Sequence, residues 1–244
     1  MTLILTMAGL YKRFKNEGYV TPKFLLKLQK NQTILEEILR ELTCRYDFEN
    51  VICIANKKDS NHSKDILEVV RKVVKRNYYI HFVDDTRGQA ETALLGIHFL
   101  KSLHTIKSKK IAVHNIDTIL YNRDFEKIDL LLESNDGFID VFQENKDHFS
   151  FVKVDRYNQV LDIQEKVVIS DKATSGLYCF KDFEEYENIY KAVSFQGEYY
   201  ISAVYQSMLK NHKKIVCNAL ESCQKTIILG TPYEYETYLQ SENS

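Results

Sequence analysis

The 244-residue sequence predicts an α/β fold, a mixed and mainly parallel sheet with helices on both faces. Three observations lead there. Short apolar runs alternate with helix-period segments through the first half, short strands dominate the second half, and no Gly, Ser or Pro linker divides the two. We therefore expect one domain over residues 1–244, built from two halves that meet near residue 120.

In the first half Leu3–Met7 reads as a buried strand, and Ile34, Leu35, Ile38, Leu39 and Leu42 fall on one helical face after Thr33. Val51–Ala55 is the next strand. Ile66, Val69, Val70 and Val73 mark a helix with Ser63 as its expected N-cap. Tyr79–Val83, a helix through Ala90, Ala93, Leu94, Ile97 and Leu100, and a strand at Lys110–His114 complete a β-α-β-α-β-α-β series. In the second half Phe138–Gln143, Phe151–Val154, Val160–Gln164 and Ala173–Phe180 read as strands, with a turn at Tyr157-Asn158. Helices are expected at Phe183–Val193 and Tyr200–Leu209, then a strand at Thr226–Leu229 and a short helix with Pro232 in its first turn. In such sheets ligands sit at the carboxyl ends of the parallel strands.

Composition excludes several classes. Hydrophobic residues make up 44%, enough for a large core, and a net charge of −1 favours no nucleic-acid partner. No run approaches the ~18 apolar residues that a membrane helix needs. The apolar N-terminus has no basic region before it, so a strand rather than a secretory signal is expected. Cys44, Cys53, Cys179, Cys217 and Cys223 are scattered, odd in number and form no CxxC pair. That argues against a zinc site or a disulfide framework and for a cytoplasmic location. The seven histidines show no ligand spacing, and Asp84-Asp85 reads as a surface turn.

Chemistry concentrates where the first strand ends, at Ala8-Gly9-Leu10-Tyr11-Lys12-Arg13-Phe14, with Pro22-Lys23 shortly after. Gly9 is expected to let the backbone turn sharply and bring N–H groups to an anion. Arg13 offers a forked donor set for phosphate oxygens, Lys23 a mobile point charge, and Pro22 stiffens the approach to Lys23. On residue types alone an ordinary strand-to-loop turn with solvated bases fits as well. Asp117 lies just past the fourth strand, where a carboxylate holds a hard divalent cation or merely closes a turn.

Met7-Ala8-Gly9-Leu10-Tyr11-Lys12-Arg13-Phe14, Gly18-Tyr19 and Pro22-Lys23 together resemble the opening signature of the nucleotidyltransferases that make nucleotide sugars, MAGxGxRF…GY..PK. The likeness runs through Thr86–Ala93, Asn115-Ile116-Asp117, Glu165-Lys166, Ala173–Tyr178, Gly197–Tyr200 and Leu229-Gly230-Thr231-Pro232, in the family's order. It implies a Rossmann-like, GT-A-like nucleotidyltransferase fold and transfer of a nucleoside monophosphate to a phosphorylated acceptor, with Mg²⁺ or Mn²⁺ as cofactor. By the same resemblance Ala8, Gly9 and Leu10 cradle the triphosphate, Gly88 and Gln89 read the base, and Arg13 and Lys23 act on the triphosphate. Asp117 holds the metal, Lys166 meets the acceptor phosphate, and Glu165, Gly176 and Glu198 line the acceptor.

Two departures stand out. Tyr11 replaces the family's second glycine and is expected to crowd the loop. Thr226-Ile227-Ile228 carries no acid where the family has its second metal aspartate. Phosphates and water complete the coordination, or Glu198 or another acid substitutes, or catalysis is lost and the chain only binds nucleotide. Likeness of Met7–Phe14 and Thr86–Ile97 to the family's capsule-pathway branch implies CTP as donor and L-glutamine phosphate as acceptor; a sugar 1-phosphate is the alternative.

Overall fold

The computed structural model describes residues 1–28, 31–103 and 106–241. The first half holds β1 (Thr2–Met7), α1 (Lys12–Asn16), α2 (Ile34–Thr43), β2 (Asn50–Asn56), α3 (Ser63–Val73), β3 (Tyr78–Val83), α4 (Gln89–Ser102) and β4 (Ile111–Asn115). Then come β5 (Thr118–Tyr121), α5 (Phe125–Ser134), β6 (Gly137–Gln143), β7 (Ser150–Val154), β8 (Val160–Glu165) and β9 (Lys172–Phe180). The chain closes with α6 (Phe183–Ala192), α7 (Ile201–Lys210), β10 (Ile215–Cys217), β11 (Lys225–Ile228) and α8 (Pro232–Ser241).

One sheet runs in the order β10-β6-β9-β4-β1-β2-β3. Its β4-β1-β2-β3 part is parallel, and β9 enters antiparallel between β4 and β6, giving the expected mixed, mainly parallel sheet. β7 and β8 form a hairpin that branches off β9, and β11 pairs with β5 in a separate ribbon. Period-two alternation divides the core. Leu3, Leu5 and Met7 of β1 pack with Ile38 and Leu39 of α2 and Ile66 of α3, while Ile4 packs with Ala93 and Ile97 of α4 on the opposite face. Each such aliphatic side chain contributes roughly 1.5–3 kcal/mol when fully buried.

Helix starts follow local chemistry. Thr33 accepts from the Glu36 amide at 3.0 Å, and Asp124 caps α5 by accepting from Lys127 N at 2.9 Å. Thr231 and Glu234 form a reciprocal capping box at α8, with Glu234 N donating to Thr231 Oγ1 at 3.2 Å and Thr231 N to Glu234 Oε2 at 2.9 Å. Ser63 does not cap α3: it is already helical, and His62 precedes it without a side-chain cap. The expected Tyr157-Asn158 turn is present, with Asn158 at φ 61°. α1, β5, α5 and β10 were not expected from the sequence.

Because β1 and β4 are neighbours in register, Thr6 opposite Asn115, the loops leaving them emerge side by side. The segment after β1 and the turn 115–117 therefore share one rim of the sheet, at the carboxyl ends of its parallel strands.

Candidate active site

Two adjoining clefts open on that rim. The larger, about 620 Å³, is lined by Ala8, Gly9, Leu10, Arg13, Lys23, Gly88, Gln89 and Asp117 among others. The smaller, about 350 Å³, holds Glu165, Lys166, Gly176 and Glu198. Arg13, Gln89, Asn115, Asp117, Glu198, Tyr200 and Gly230 line both and form their common wall. Every residue to which the resemblance gives a site role thus lines one or both of these adjoining clefts.

Lys23 and Asp117 meet across the floor, Nζ to Oδ2, at 2.6 Å. Burial pushes the Asp117 carboxyl up, but the Lys23 ammonium outweighs it and holds the group below the usual carboxylate range. The turn carrying Asp117 is fixed from beneath. His114 is fully buried and donates from Nε2 to the Thr118 carbonyl at 2.8 Å; its burial keeps the imidazole below its ordinary pKa and therefore neutral. Leu229 N donates to Asp117 O at 2.7 Å, which ties the turn to the segment before α8.

Gly9 is not the left-handed residue of the loop. Its φ is not positive, and the left-handed residue in the loop is Tyr11, at φ 37° and ψ 44°. What Gly9 does provide is space, because no atom lies within 4 Å of where its Cβ would be. Tyr11 lines the larger cleft with Gly9 and Lys12, and its hydroxyl donates to Asp59, in the 3₁₀ turn after β2. Gln89 turns its amide toward the sheet, Nε2 donating to Thr6 Oγ1 at 3.3 Å. Gly88, at φ 153°, admits no side chain, since a Cβ would lie 2.6 Å from the Tyr199 carbonyl oxygen. Tyr199 N donates to Arg87 O and Ala90 N to Tyr199 O, each at 2.9 Å, so the 87–90 turn is strapped to the 197–200 segment.

In the smaller cleft Lys166 takes a left-handed backbone, φ 55°, at the end of β8. Its Nζ donates to Tyr200 Oη at 2.7 Å, and that hydroxyl donates to Glu198 Oε2 at 2.7 Å. The Tyr200 hydrogen bond raises the Lys166 pKa, so the ammonium stays charged. Glu165 is already engaged: Oε2 accepts from Ser150 Oγ, and from Ser202 Oγ at 2.8 Å. Gly176, at φ 91°, packs so closely on Asn115 that a Cβ would sit 2.0 Å from its Nδ2.

Among the described residues no three His, Cys, Asp or Glu side chains gather as a metal cluster; His104 lies outside them. The oxygen donors at Asp117 still suit a hard cation. Asn115 Oδ1 is buried without a partner two residues away. Glu234 Oε2 and Asp117 Oδ2 flank Gly230, at 3.5 and 3.6 Å from its Cβ position. Mg²⁺ commonly needs only one or two protein carboxylates. Glu234 is thus a second acid close to the Asp117 carboxylate across Gly230, while Glu198 accepts from the Tyr200 hydroxyl. The capping-box spacing of Glu234 after Thr231 was the readable signal.

The other features are structural. Asp84 and Asp85 pair with Lys57 and Lys58 at the surface. Tyr205 is fully buried, donating to the Phe138 and Cys179 carbonyls at 3.0 and 2.7 Å. Tyr199 stacks on Phe195 at 4.1 Å beneath the Arg87 guanidinium. No described helix is long and apolar enough to cross a membrane.

No family model and no curated protein matches the chain. Solved structures do. A nucleoside-diphosphate-sugar pyrophosphorylase from Vibrio cholerae RC9 superposes with a TM-score of 0.86 at 28% identity, over 98% of this chain and 99% of that one. An inositol-1-phosphate CTP transferase from T. maritima shares the fold at a TM-score of 0.73 and 12% identity, over 99% and 94% of the two chains. An apo UDP-glucose pyrophosphorylase shares it at 0.76 and 14%, over 99% and 97%.

Proposed function

We propose a specific reaction for this chain, which belongs to the nucleotide-sugar pyrophosphorylase-like nucleotidyltransferase family: a nucleoside triphosphate and a sugar 1-phosphate give a nucleoside-diphosphate sugar and pyrophosphate. The observation that carries it is the pair of clefts meeting at Arg13, Asn115 and Asp117, one walled by Ala8–Leu10 and Lys23, the other by Lys166. Two anions must approach each other, so charge neutralisation and in-line placement are most of the catalysis.

In this reading Ala8, Gly9 and Leu10 wrap the triphosphate, Arg13 and Lys23 neutralise its oxygens, and Gly88 and Gln89 contact the base. Lys166 holds the acceptor phosphate, with Gly176, Glu165 and Glu198 beside it. An oxygen of that phosphate attacks the α-phosphorus, the bond to the bridging oxygen breaks, and pyrophosphate leaves. Asp117, with Asn115 and Glu234 nearby, would hold the Mg²⁺ or Mn²⁺ that offsets the growing negative charge. Lys23 then moves from Asp117 to the phosphates. Residues to about 120 serve the nucleotide and those beyond about 121 the acceptor, within one domain.

The second reading, CTP with L-glutamine phosphate in capsule biosynthesis, rests on the Met7–Phe14 and Thr86–Ile97 segments. The similar structure at 28% identity favours a sugar acceptor over it. Pyrophosphate release decides between them, measured for CTP, UTP, dTTP and GTP against a panel of sugar 1-phosphates and L-glutamine phosphate. Turnover of L-glutamine phosphate alone would reverse the order of the two readings.

A further inference from the structure

We infer that Tyr11 and Asp59 form a latch that presets the triphosphate loop of this chain, making Tyr11 a positioning residue for the nucleotide; this rests on the nucleotidyl-transfer reading above. The loop from Ala8 to Lys12 forms one wall of the larger cleft. Both its ends are tied to the exit of β2. Asn56, buried, donates from Nδ2 to the Ala8 carbonyl at 3.3 Å, and Asp59 accepts from the Tyr11 hydroxyl. Asp59 is only 3% exposed and its Oδ2 has no partner, so its buried carboxylate depends on the Tyr11 hydroxyl bound to Oδ1.

Tyr11 itself sits in the left-handed region, which L side chains enter at an energetic cost, and it caps α1 with no side-chain bond. Such a conformation persists when its surroundings over-determine it. Here the anchor is the hydroxyl, which ties the ring, itself at the wall of the larger cleft, to Asp59. Lys15 Nζ adds a contact 4.4 Å from the ring centroid. The cleft stays open above Gly9, and the Gly9–Lys12 backbone is held in one shape before a ligand arrives. A glycine at position 11 would reach the same φ but would be held by nothing. A preset loop loses less freedom on binding, so the latch acts on affinity for the triphosphate and leaves base and acceptor contacts alone.

The test titrates wild type, Tyr11→Phe, Asp59→Ala and the double variant with inorganic tripolyphosphate in Mg²⁺. The same proteins are titrated with the best-bound of CTP, UTP, dTTP and GTP and with its monophosphate, and melting temperatures are recorded alongside. Tyr11→Phe and Asp59→Ala should each weaken both triphosphate ligands about ten-fold, the weight of one hydrogen bond to a charged group. The monophosphate should bind within about two-fold of wild type, and the double variant should be no weaker than either single one, because one interaction is lost in all three. If Tyr11→Phe does not fold, Asp59→Ala carries the same comparison. Equal weakening of monophosphate and triphosphate, or unchanged triphosphate binding in both variants, overturns the latch and leaves the proposed reaction standing. A wild-type protein that binds neither tripolyphosphate nor any of the four triphosphates overturns both.

Discussion

Lys23 Nζ and Asp117 Oδ2, 94 residues apart in the chain, meet at 2.6 Å where the two clefts join. The contact links the strand-end turn after β4 to the short 3₁₀ turn, Lys23–Leu25, that follows α1. It sets one cation beside a carboxylate that lines both clefts.

Replacing Asp117 by Asn keeps the side chain's shape and removes its charge. Turnover should fall on the order of 10²-fold or more, as when a principal electrostatic contact is lost. Chelation of the wild-type protein should abolish turnover, and added Mg²⁺ or Mn²⁺ should restore it. Near-wild-type kcat in Asp117→Asn at saturating metal would remove Asp117 from the site.

Lys166 and Lys23 should separate by substrate. Lys166→Ala is expected to raise the acceptor KM roughly 10- to 150-fold, the range for one charge-assisted contact, with the triphosphate KM unmoved. Lys23→Ala should impair the triphosphate at every acceptor concentration. Tyr200→Phe leaves Lys166 without its 2.7 Å phenolic partner and should produce a smaller version of the Lys166→Ala effect. Steady-state kinetics with both substrates varied checks all three.

Gly88→Ala should separate the 87–90 turn from the 197–200 segment. Its Cβ would fall 2.6–2.9 Å from the backbone of Tyr199, which cannot move aside cheaply. Strain of this kind costs about 1–3 kcal/mol, read as a lower denaturation midpoint with both KM values raised.

Arg123 and Asp140 form a buried two-point ion pair, at 2.8 and 3.0 Å, with side chains 2% and 1% exposed. Arg123→Met strands Asp140 as an unpaired buried charge and should cost about 3–5 kcal/mol. Urea denaturation measures it, and Asp140→Asn in the same background should recover part of the loss.

The parallel half was readable because each of its elements carries its own periodicity: Leu3, Leu5 and Met7 alternate, and Ala93, Ile97 and Leu100 recur at helical spacing. β10 escaped because Ile215-Val216-Cys217 is too short to show a period, and β5 because Thr118–Tyr121 directly follows the Asp117 turn. α5 does carry a local signal, Asp124 as cap before Phe125, Ile128 and Leu132 on one face. The strand-end motifs brought the site residues to one rim. What they do not contain is side-chain pairing across long separations. Tyr11 with Asp59, Glu165 with Ser150 and Ser202, and Gln89 with Thr6 follow no sequence spacing and emerge only when the loops pack.

The most direct measurement of the reaction follows two labels from the same triphosphate. The protein is incubated with Mg²⁺, a sugar 1-phosphate and a nucleoside triphosphate labelled at either the α- or the γ-phosphorus, using the substrate pair that releases most pyrophosphate. Nucleotidyl transfer puts the α-label in a nucleoside-diphosphate sugar and the γ-label in pyrophosphate, in equal amounts. A γ-label recovered as inorganic phosphate, or an α-label that never leaves the nucleotide pool for any acceptor in the panel, would contradict nucleotidyl transfer by this chain.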